Sequence, residues 1–509
     1  MHIFDGIILR RDIMKKSILA LTLAFIMLLA GCGAPSNNNN QTTATPTATP
    51  TSTPDVDITP TGEGLQGDPN LTATIKLGIW PSDTAAEAEI QMHEGFVAKM
   101  KELYPNVTIE PFHYQYAVDT YVTMASAGNA PTVFQPWFTE PQRLINAGLV
   151  AEITNELKEK GWEQYMNPGY KKMLSDKDGR IYGIPRDSYG LGLMINVELF
   201  EAANLMNEDG TPKYPKTLQE LAETAALIKE RTGAPGFCLL AMDGAGGWHF
   251  SNIAWNFGAT LETYDEATGR WTAHLNSPEC VAAMEFVRDL KWKYDCLTAD
   301  PTQENWGSGM TQLGTGGAAM YFGANDAVDN PTAINGLAVD KLALVPFPAG
   351  PKGDQYMLAG GTAYMFAPNA TSDQIKACLA YLELMGKAPV LTPDSIEGMK
   401  QDAARRVQDG IPVIPRIQAW NNPEYTEAEL EVVNQYQNID MRFYQDYFDT
   451  INKGALRAEE PIMAQEMYLE LTKVIQKVLT NQDADIQKLL DRAQSSFQNL
   501  IDEYVNDAQ

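Results

Sequence analysis

Five short stretches set an aromatic ring beside polar residues: "IWPSD" (Trp80, Asp83), "PWFTE" (Trp137, Glu140), "DSYG" (Asp187, Tyr189), "GGWHFSN" (Trp248, Phe250) and "AWNN" (Trp420, Asn421). Flat apolar plates with nearby donors and acceptors suit a ligand that presents both C–H faces and hydroxyls in a pre-formed cleft. Trp80, Trp137 and the pair Asn325-Asp326 are expected where strands end, which is where open α/β sheets bind ligands. Gly360-Gly361 would let backbone approach such a ligand closely, because glycine has no Cβ. Ordinary alternatives stand beside each. A lone Trp serves equally well in a core, Asp83 and Glu140 as helix caps or solvated charges, and the glycine pair as a turn.

Catalytic chemistry finds little support. There is no G-x-S-x-G elbow and no H-E-x-x-H, and none of the five histidines stands at metal-ligand spacing. "DKDGR" (Asp176–Arg180) lacks the remaining ligands of a calcium loop and reads as a turn. "GAGG" and "GTGG" open no phosphate-binding helix. A glycoside hydrolase needs two carboxylates across a cleft, but 65 acidic residues supply such pairs by chance. No catalytic residue, metal or cofactor is therefore expected. The net charge of −27 argues against nucleic acid as a partner and against electrostatic docking on anionic lipid. Cys238, Cys280, Cys296 and Cys378 show no zinc or CxxC spacing; a Cys280–Cys296 disulfide is conceivable, but four buried thiols are favoured.

The N-terminus addresses location. Lys15 and Lys16 precede an apolar run from Ile18 to Ala30, too short for a comfortable membrane span and patterned as a signal peptide. Leu29-Ala30-Gly31-Cys32 resembles the bacterial lipoprotein box. That resemblance implies cleavage before Cys32 and a diacylglyceryl anchor on its thiol, strong enough to hold a protein at a membrane. Residues 33–70, rich in Asn, Thr and Pro, offer almost nothing to bury and read as a disordered tether.

Beyond the tether the pattern is α/β. "ATIKLGIW" reads as a strand, Ile90, Val97, Met100 and Tyr104 as one helical face, and "NVTIEPFHY" as a second, parallel strand. Thr217 to Glu220 reads as a capping box, Asp265–Gly269 as a hairpin turn, and Ser277-Pro278 as a helix start. "KLALVPFP" and "GTAYMFAP" read as strands, Thr371–Met385 as a helix, and the region after Pro461 as helical.

Five segments in order resemble the extracellular solute-binding proteins of ABC transporters, in their carbohydrate-binding, maltodextrin-binding-protein-like group. They are "TIKLGIW", "MASAGNAPTVFQPWFTEPQRLINAGLVAEIT", "DGRIYGIPRDSYGLGLMINVELFEAANL", "GTGGAAMYFGAND" and "LAGGTAYMFAPNATSDQIKACLAYLELM", across roughly residues 73–386. Thr132, where the group usually has Asp, and "TQLGTGG" depart from its pattern. The resemblance implies an α/β, two-lobed periplasmic-binding-protein-like fold, with interlobe hinge strands near Gly183–Asp187, Met320–Gly323 and Met365 and a ligand cleft between the lobes. It implies a first lobe of residues 71–186 plus about 321–370, and a second of about 187–320 plus 371–509, after a signal peptide at 1–31 and the tether at 32–70. It implies capture of a sugar or oligosaccharide by hinge closure and delivery to membrane permease subunits by a monomer at the outer face of the bacterial cell membrane. The expected ligand contacts are Trp80, Asp83, Trp137, Glu140, Tyr189, Trp248, Asn325, Asp326, Gly360, Gly361 and Trp420. Tyr189 serves equally as a hinge-strand residue. Peptides, polyamines and glycerophosphodiesters remain alternative solutes, and a cell-surface glycoside hydrolase is the more distant alternative. An anionic ligand would call on Arg143, Arg186 or Arg416.

Overall fold

The computed structural model describes residues 58–83, 85 and 87–507. The signal segment, Cys32 and the first part of the tether lie outside them. Among the described residues no helix is long and apolar enough to cross a membrane.

The expected β-α-β opening is present. Strand β1 (Ala73–Leu77) pairs in parallel with β2 (Val107–Pro111), and the helix Glu87–Leu103 connects them. The remaining strands are β3 (Val133–Phe134), β4 (Gly183–Asn196), β5 (Phe237–Cys238), β6 (Glu262–Asp265), β7 (Arg270–Ala273), β8 (Met320–Ala324), β9 (Leu342–Val345), β10 (Met357–Phe366) and β11 (Leu456–Ala458). One sheet runs in the order β2-β1-β3-β10-β4-β8-β5, with β9 against β4 and β11 against β10; β6 and β7 form a separate hairpin at the expected turn. Local signals hold where chemistry demanded them. The Thr217 side chain accepts from the Glu220 N–H and Pro278 stands in the first turn of its helix, although Glu220 reaches back to the Lys216 N–H rather than completing the box on Thr217.

Two apolar cores are built on this sheet. The first gathers Leu71 to Ile184, Ala363 to Ala388, Ala419 and Trp420; the second gathers Leu191 to Leu358, Ile411, Ile414 and Tyr444 to Ile501. This division corrects the lobe boundaries expected from sequence. Strands β8 and β9 pack in the second lobe, because they pair with the far half of β4 at Leu191–Asn196. The helix Ser372–Leu384 returns to the first lobe, because Ile375, Leu379 and Leu382 belong to its core. The crossings also move. β4 leaves one core at Ile184 and enters the other at Leu191, while β10 passes between Leu358 and Ala363. Met320–Gly323 is therefore no hinge, and the second crossing precedes Met365.

The tether boundary shifts as well. Residues 58–66 are laid on the first lobe: the Thr61 and Gly62 N–H groups donate to the Leu391 carbonyl (3.0 and 2.9 Å), and the Gln66 carbonyl accepts from the Tyr104 hydroxyl (2.9 Å). Ile58 packs against the hairpin of helices Pro393–Asp409 and Pro423–Tyr436. All four described cysteines are buried free thiols, as favoured from sequence.

Candidate ligand cleft

The two crossings form a narrow antiparallel ribbon: Gly360 stands opposite Tyr189, Gly361 opposite Ser188 and Thr362 opposite Asp187, with a bulge between Thr362 and Ala363. So few residues between two packed cores make a natural bending point. The ribbon is pinned by polar contacts. The Asp187 carboxylate accepts from the Thr362 N–H and hydroxyl (3.0 and 2.9 Å), Tyr170 bonds Ser188, and Asn325 Oδ1 accepts from the Gly190 N–H (3.3 Å) and the Tyr447 hydroxyl (2.8 Å).

Aromatic rings stand on both sides of the ribbon. From the first lobe, Trp137 follows β3, is bridged through its backbone to Thr362, and leaves its indole 38% exposed. Tyr116 holds it edge-on at 5.4 Å. From the second lobe, Trp248 enters from the helix Ala245–Asn256 and meets Tyr189 edge-on at 6.2 Å; both rings are half-buried. Carboxyl groups lie close by. Glu140 is buried and accepts from the Tyr116 hydroxyl (2.9 Å); desolvation raises its affinity for a proton. Glu459 accepts from the Tyr468 hydroxyl (2.9 Å), and desolvation, with Glu140 as a like charge, pushes it up to about 7. Asp326 faces solvent at the end of β8, yet protein crowds it from several sides. That desolvation, reinforced by Asp187, also lifts it to about 7. Carboxyls poised near neutrality can accept from, or donate to, ligand hydroxyls.

On the first-lobe side of the ribbon, past Arg186, lies a cavity of about 910 Å³, set between the ends of β1–β3 and the two-helix hairpin 393–436. Trp80, half-buried and edge-on to His93 at 5.4 Å, is one wall. Arg186 donates to Gln135 Oε1 (3.0 Å) and pairs with Asp187 (3.0 Å) at its floor.

The structure thus brings Trp137, Glu140, Tyr189, Trp248 and Asp326 around the ribbon and sets Trp80 on the wall of the neighbouring cavity, while the other expected contacts take structural places. Trp420 is buried in the first core, edge-on to Trp162 at 6.2 Å, with its indole N–H given to the Lys387 carbonyl. Asp83 lies in an exposed turn and does not line the cavity. Asn325 spends its carbonyl on the ribbon. Gly360 and Gly361 are filled from within: a Cβ on the first would stand 2.1 Å from the Tyr189 hydroxyl, and on the second 2.6 Å from the Phe138 ring. The glycines seat those two rings rather than admit a ligand. Of the expected anion partners, Arg186 and Arg416 line the cavity, while Arg143 pairs across the lobes with Glu466 at 3.3 Å. Sequence reading missed Glu459, Gln135 and Lys387. Gln135 stood in plain view beside Trp137 and Lys387 just past the last of the five resembling segments, whereas Glu459 lies in the C-terminal region where the family pattern fades.

The sequence profile of the bacterial extracellular solute-binding proteins matches residues 86–390, so the chain belongs to that family. Solved structures share its fold at low sequence identity. An ABC transporter solute-binding protein from Thermotoga lettingae, bound to α-D-tagatose, is 19% identical over 85% of this chain and 99% of its own, with a TM-score of 0.64. The GacH receptor of Streptomyces glaucescens, solved unliganded and with acarbose, is 18% identical over 85% of this chain and 100% of its own, at 0.62. UgpB from Mycobacterium tuberculosis, in complex with glycerophosphocholine, is 13% identical over 85% and 99%, at 0.63.

Proposed function

We propose that the chain captures a sugar or oligosaccharide in the cleft, closes on it by bending the β4–β10 ribbon, and presents it to the permease subunits of an ABC transporter. The observation that carries this reading is the convergence of Trp137, Tyr189 and Trp248 with Glu140, Glu459 and Asp326 around one crossing. Rings cover the C–H faces of a sugar and carboxyls meet its hydroxyls, with groups drawn from both lobes. Ligand gains both sets of contacts only when the lobes approach, so binding shifts that population. Solute-binding structures that carry tagatose and acarbose support the ligand class. The protein acts as a monomer, without turnover, and returns its ligand unchanged. It works at the outer face of the cell membrane, held there through a lipid on Cys32.

A thermal-shift screen of mono- and oligosaccharides tests the ligand class. A saccharide at about 100 times its dissociation constant should add about 2.7 kcal/mol of apparent stability, with the sugar recovered intact. No shift with any sugar would reject the carbohydrate reading, and recovery of cleaved sugar would reject binding without turnover. The anchor is tested by expressing Cys32→Ala, which should lose incorporated acyl label and appear in the medium. Retention of label would place the lipid elsewhere.

A further inference from the structure

The cavity under the two-helix hairpin carries a charge arrangement that the capture of a neutral sugar does not use. Lys387, just beyond the helix Ser372–Leu384, extends into it, and among the described residues no carboxylate ion-pairs with its ammonium. Its charged neighbours are arginines as well as acids. Arg416 and Arg186 oppose its charge while Asp187 and Asp402 favour it; burial first, then those guanidinium groups, lower its proton affinity to about 8. Asp402 is the shared counter-ion of the hairpin. Arg416 (2.8 Å), Arg405 (2.8 Å) and Arg406 (3.6 Å) all converge on that one carboxylate, with Glu429 taking a second nitrogen of Arg416 at 3.4 Å and Asp409 a second nitrogen of Arg405 at 3.1 Å. Of the other acids on the cavity, Glu383 is committed to Lys160 at 2.6 Å, and Glu89 and Asp394 lie at its exposed edge. Arg405, Arg406 and Arg416 thus share Asp402, and Lys387 stands among them without a carboxylate of its own.

Such a cluster is relieved by an anion. Guanidinium forks match the two oxygens of a carboxylate or phosphate, and a lysine adds a point charge. Two further features point the same way. Trp80 stands on the same wall as a ring platform, and the Tyr364 hydroxyl, fully buried at the cavity floor beside Gln135, lacks a well-formed hydrogen bond. We propose that this cavity, reached from the ribbon past Arg186, holds an oxyanion carried by the ligand, gripped by Lys387, Arg416 and Arg186, with the ring that bears it on Trp80. The transported solute is then an acidic saccharide rather than a neutral one. This inference rests on the saccharide reading of the cleft, and the test keeps the two apart.

Calorimetric titration of the purified full chain should compare three probes: a uronate trisaccharide, the same trisaccharide with every carboxyl methyl-esterified, and glycerol phosphate. The acid should bind at least about tenfold more tightly than the ester, and that advantage should shrink as salt rises from about 0.05 to 0.5 M. Lys387→Met should bring the acid close to the ester. Arg416→Gln, a change at a half-exposed side chain, should do the same, and melting curves confirm that each variant is folded. Equal binding of acid and ester, or an acid preference untouched in both variants, would overturn the oxyanion site while leaving the saccharide reading standing. Binding of glycerol phosphate alone, abolished by the same variants, would uphold the oxyanion site and reject the saccharide. Failure of both anionic probes would overturn the site.

Discussion

Trp248 and Trp420 show how one residue type divides between two jobs. Trp248 is half-exposed at the cleft and touches Tyr189, whereas Trp420 is enclosed beside Trp162. Trp248→Ala should weaken saccharide binding about tenfold or more while the unfolding midpoint barely moves. Trp420→Ala should instead cost about 3–5 kcal/mol of stability, since it empties a large core site, with affinity for a neutral saccharide unchanged in the folded fraction. Urea denaturation and calorimetry on both variants separate the roles, and the converse pattern would exchange them. Glu262 makes a second point at this scale. It is buried on β6 near Glu460, with one carboxyl oxygen accepting from the Ile462 N–H at 3.3 Å and the other unpaired. Desolvation, then the Glu460 charge, raises it from 4.5 to about 9. The folded protein therefore holds a proton that the unfolded chain releases above about pH 4.5, so this group lowers stability as pH rises from there to about 9. Glu262→Gln, which keeps an acceptor for Ile462, should stabilise by about 1–3 kcal/mol at pH 8 and by little at pH 5. A difference between the two proteins that does not grow with pH would refute this account.

At the scale of elements, close backbone approach decides where side chains are forbidden. The helix Ala245–Asn256 crosses the helix Ala464–Thr480 at Gly247, where a Cβ would lie 2.1 Å from the Tyr468 carbonyl oxygen. Gly247→Ala must therefore push apart the two helices that carry Trp248 and Tyr468. It should cost about 1–3 kcal/mol and weaken ligand binding together with stability, because both rings move. A variant with wild-type melting temperature and affinity would show the crossing to be slack. The same close approaches explain what the sequence could disclose. The helix carrying Val97 and Met100, the strand β1 and the cap at Thr217 are local signals that a few neighbouring residues determine, although Tyr104 stands one residue past that helix and Ile90 lies outside the core cluster. Trp80, Trp137 and Trp248 were legible as candidates because rings beside strand ends and turns are uncommon. The burial of Trp420 was not, since it depends on Trp162, far away in the chain. Lobe membership of β8 and β9 was likewise hidden, because it is set by pairing with the far half of a strand that spans both cores. Glu459 follows β11, which pairs with β10 at Met357–Ala359, a contact between segments about a hundred residues apart.

The whole molecule adds contacts between lobes that meet no ligand. Arg143, on the helix Pro141–Asn146 of the first lobe, pairs with Glu466 of the second at 3.3 Å, and Gln465 donates to the Thr139 hydroxyl at 3.2 Å beside it. Both contacts join segments that the ribbon would swing apart, Arg143–Glu466 between two helices and Gln465–Thr139 between a helix and the preceding turn, so they favour the approached arrangement of the lobes. A partly exposed ion pair contributes at most about 1 kcal/mol. In a protein that binds only when its lobes close, that energy enters affinity directly: the observed dissociation constant is the intrinsic one divided by the closed fraction. Removing the pair should then weaken binding by at most about fivefold, through faster dissociation, without touching a residue that faces the ligand. Arg143 also lies 3.9 Å from Glu140, so a single variant would mix two effects. A double-mutant cycle of Arg143→Gln and Glu466→Gln isolates the interlobe term, because only the coupling between the two positions reports on the pair. Small-angle scattering of the same proteins without ligand should show a larger radius of gyration where the pair is broken, converging with the wild type at saturation. Zero coupling energy together with identical unliganded scattering would mean that the ribbon alone sets the opening of the lobes.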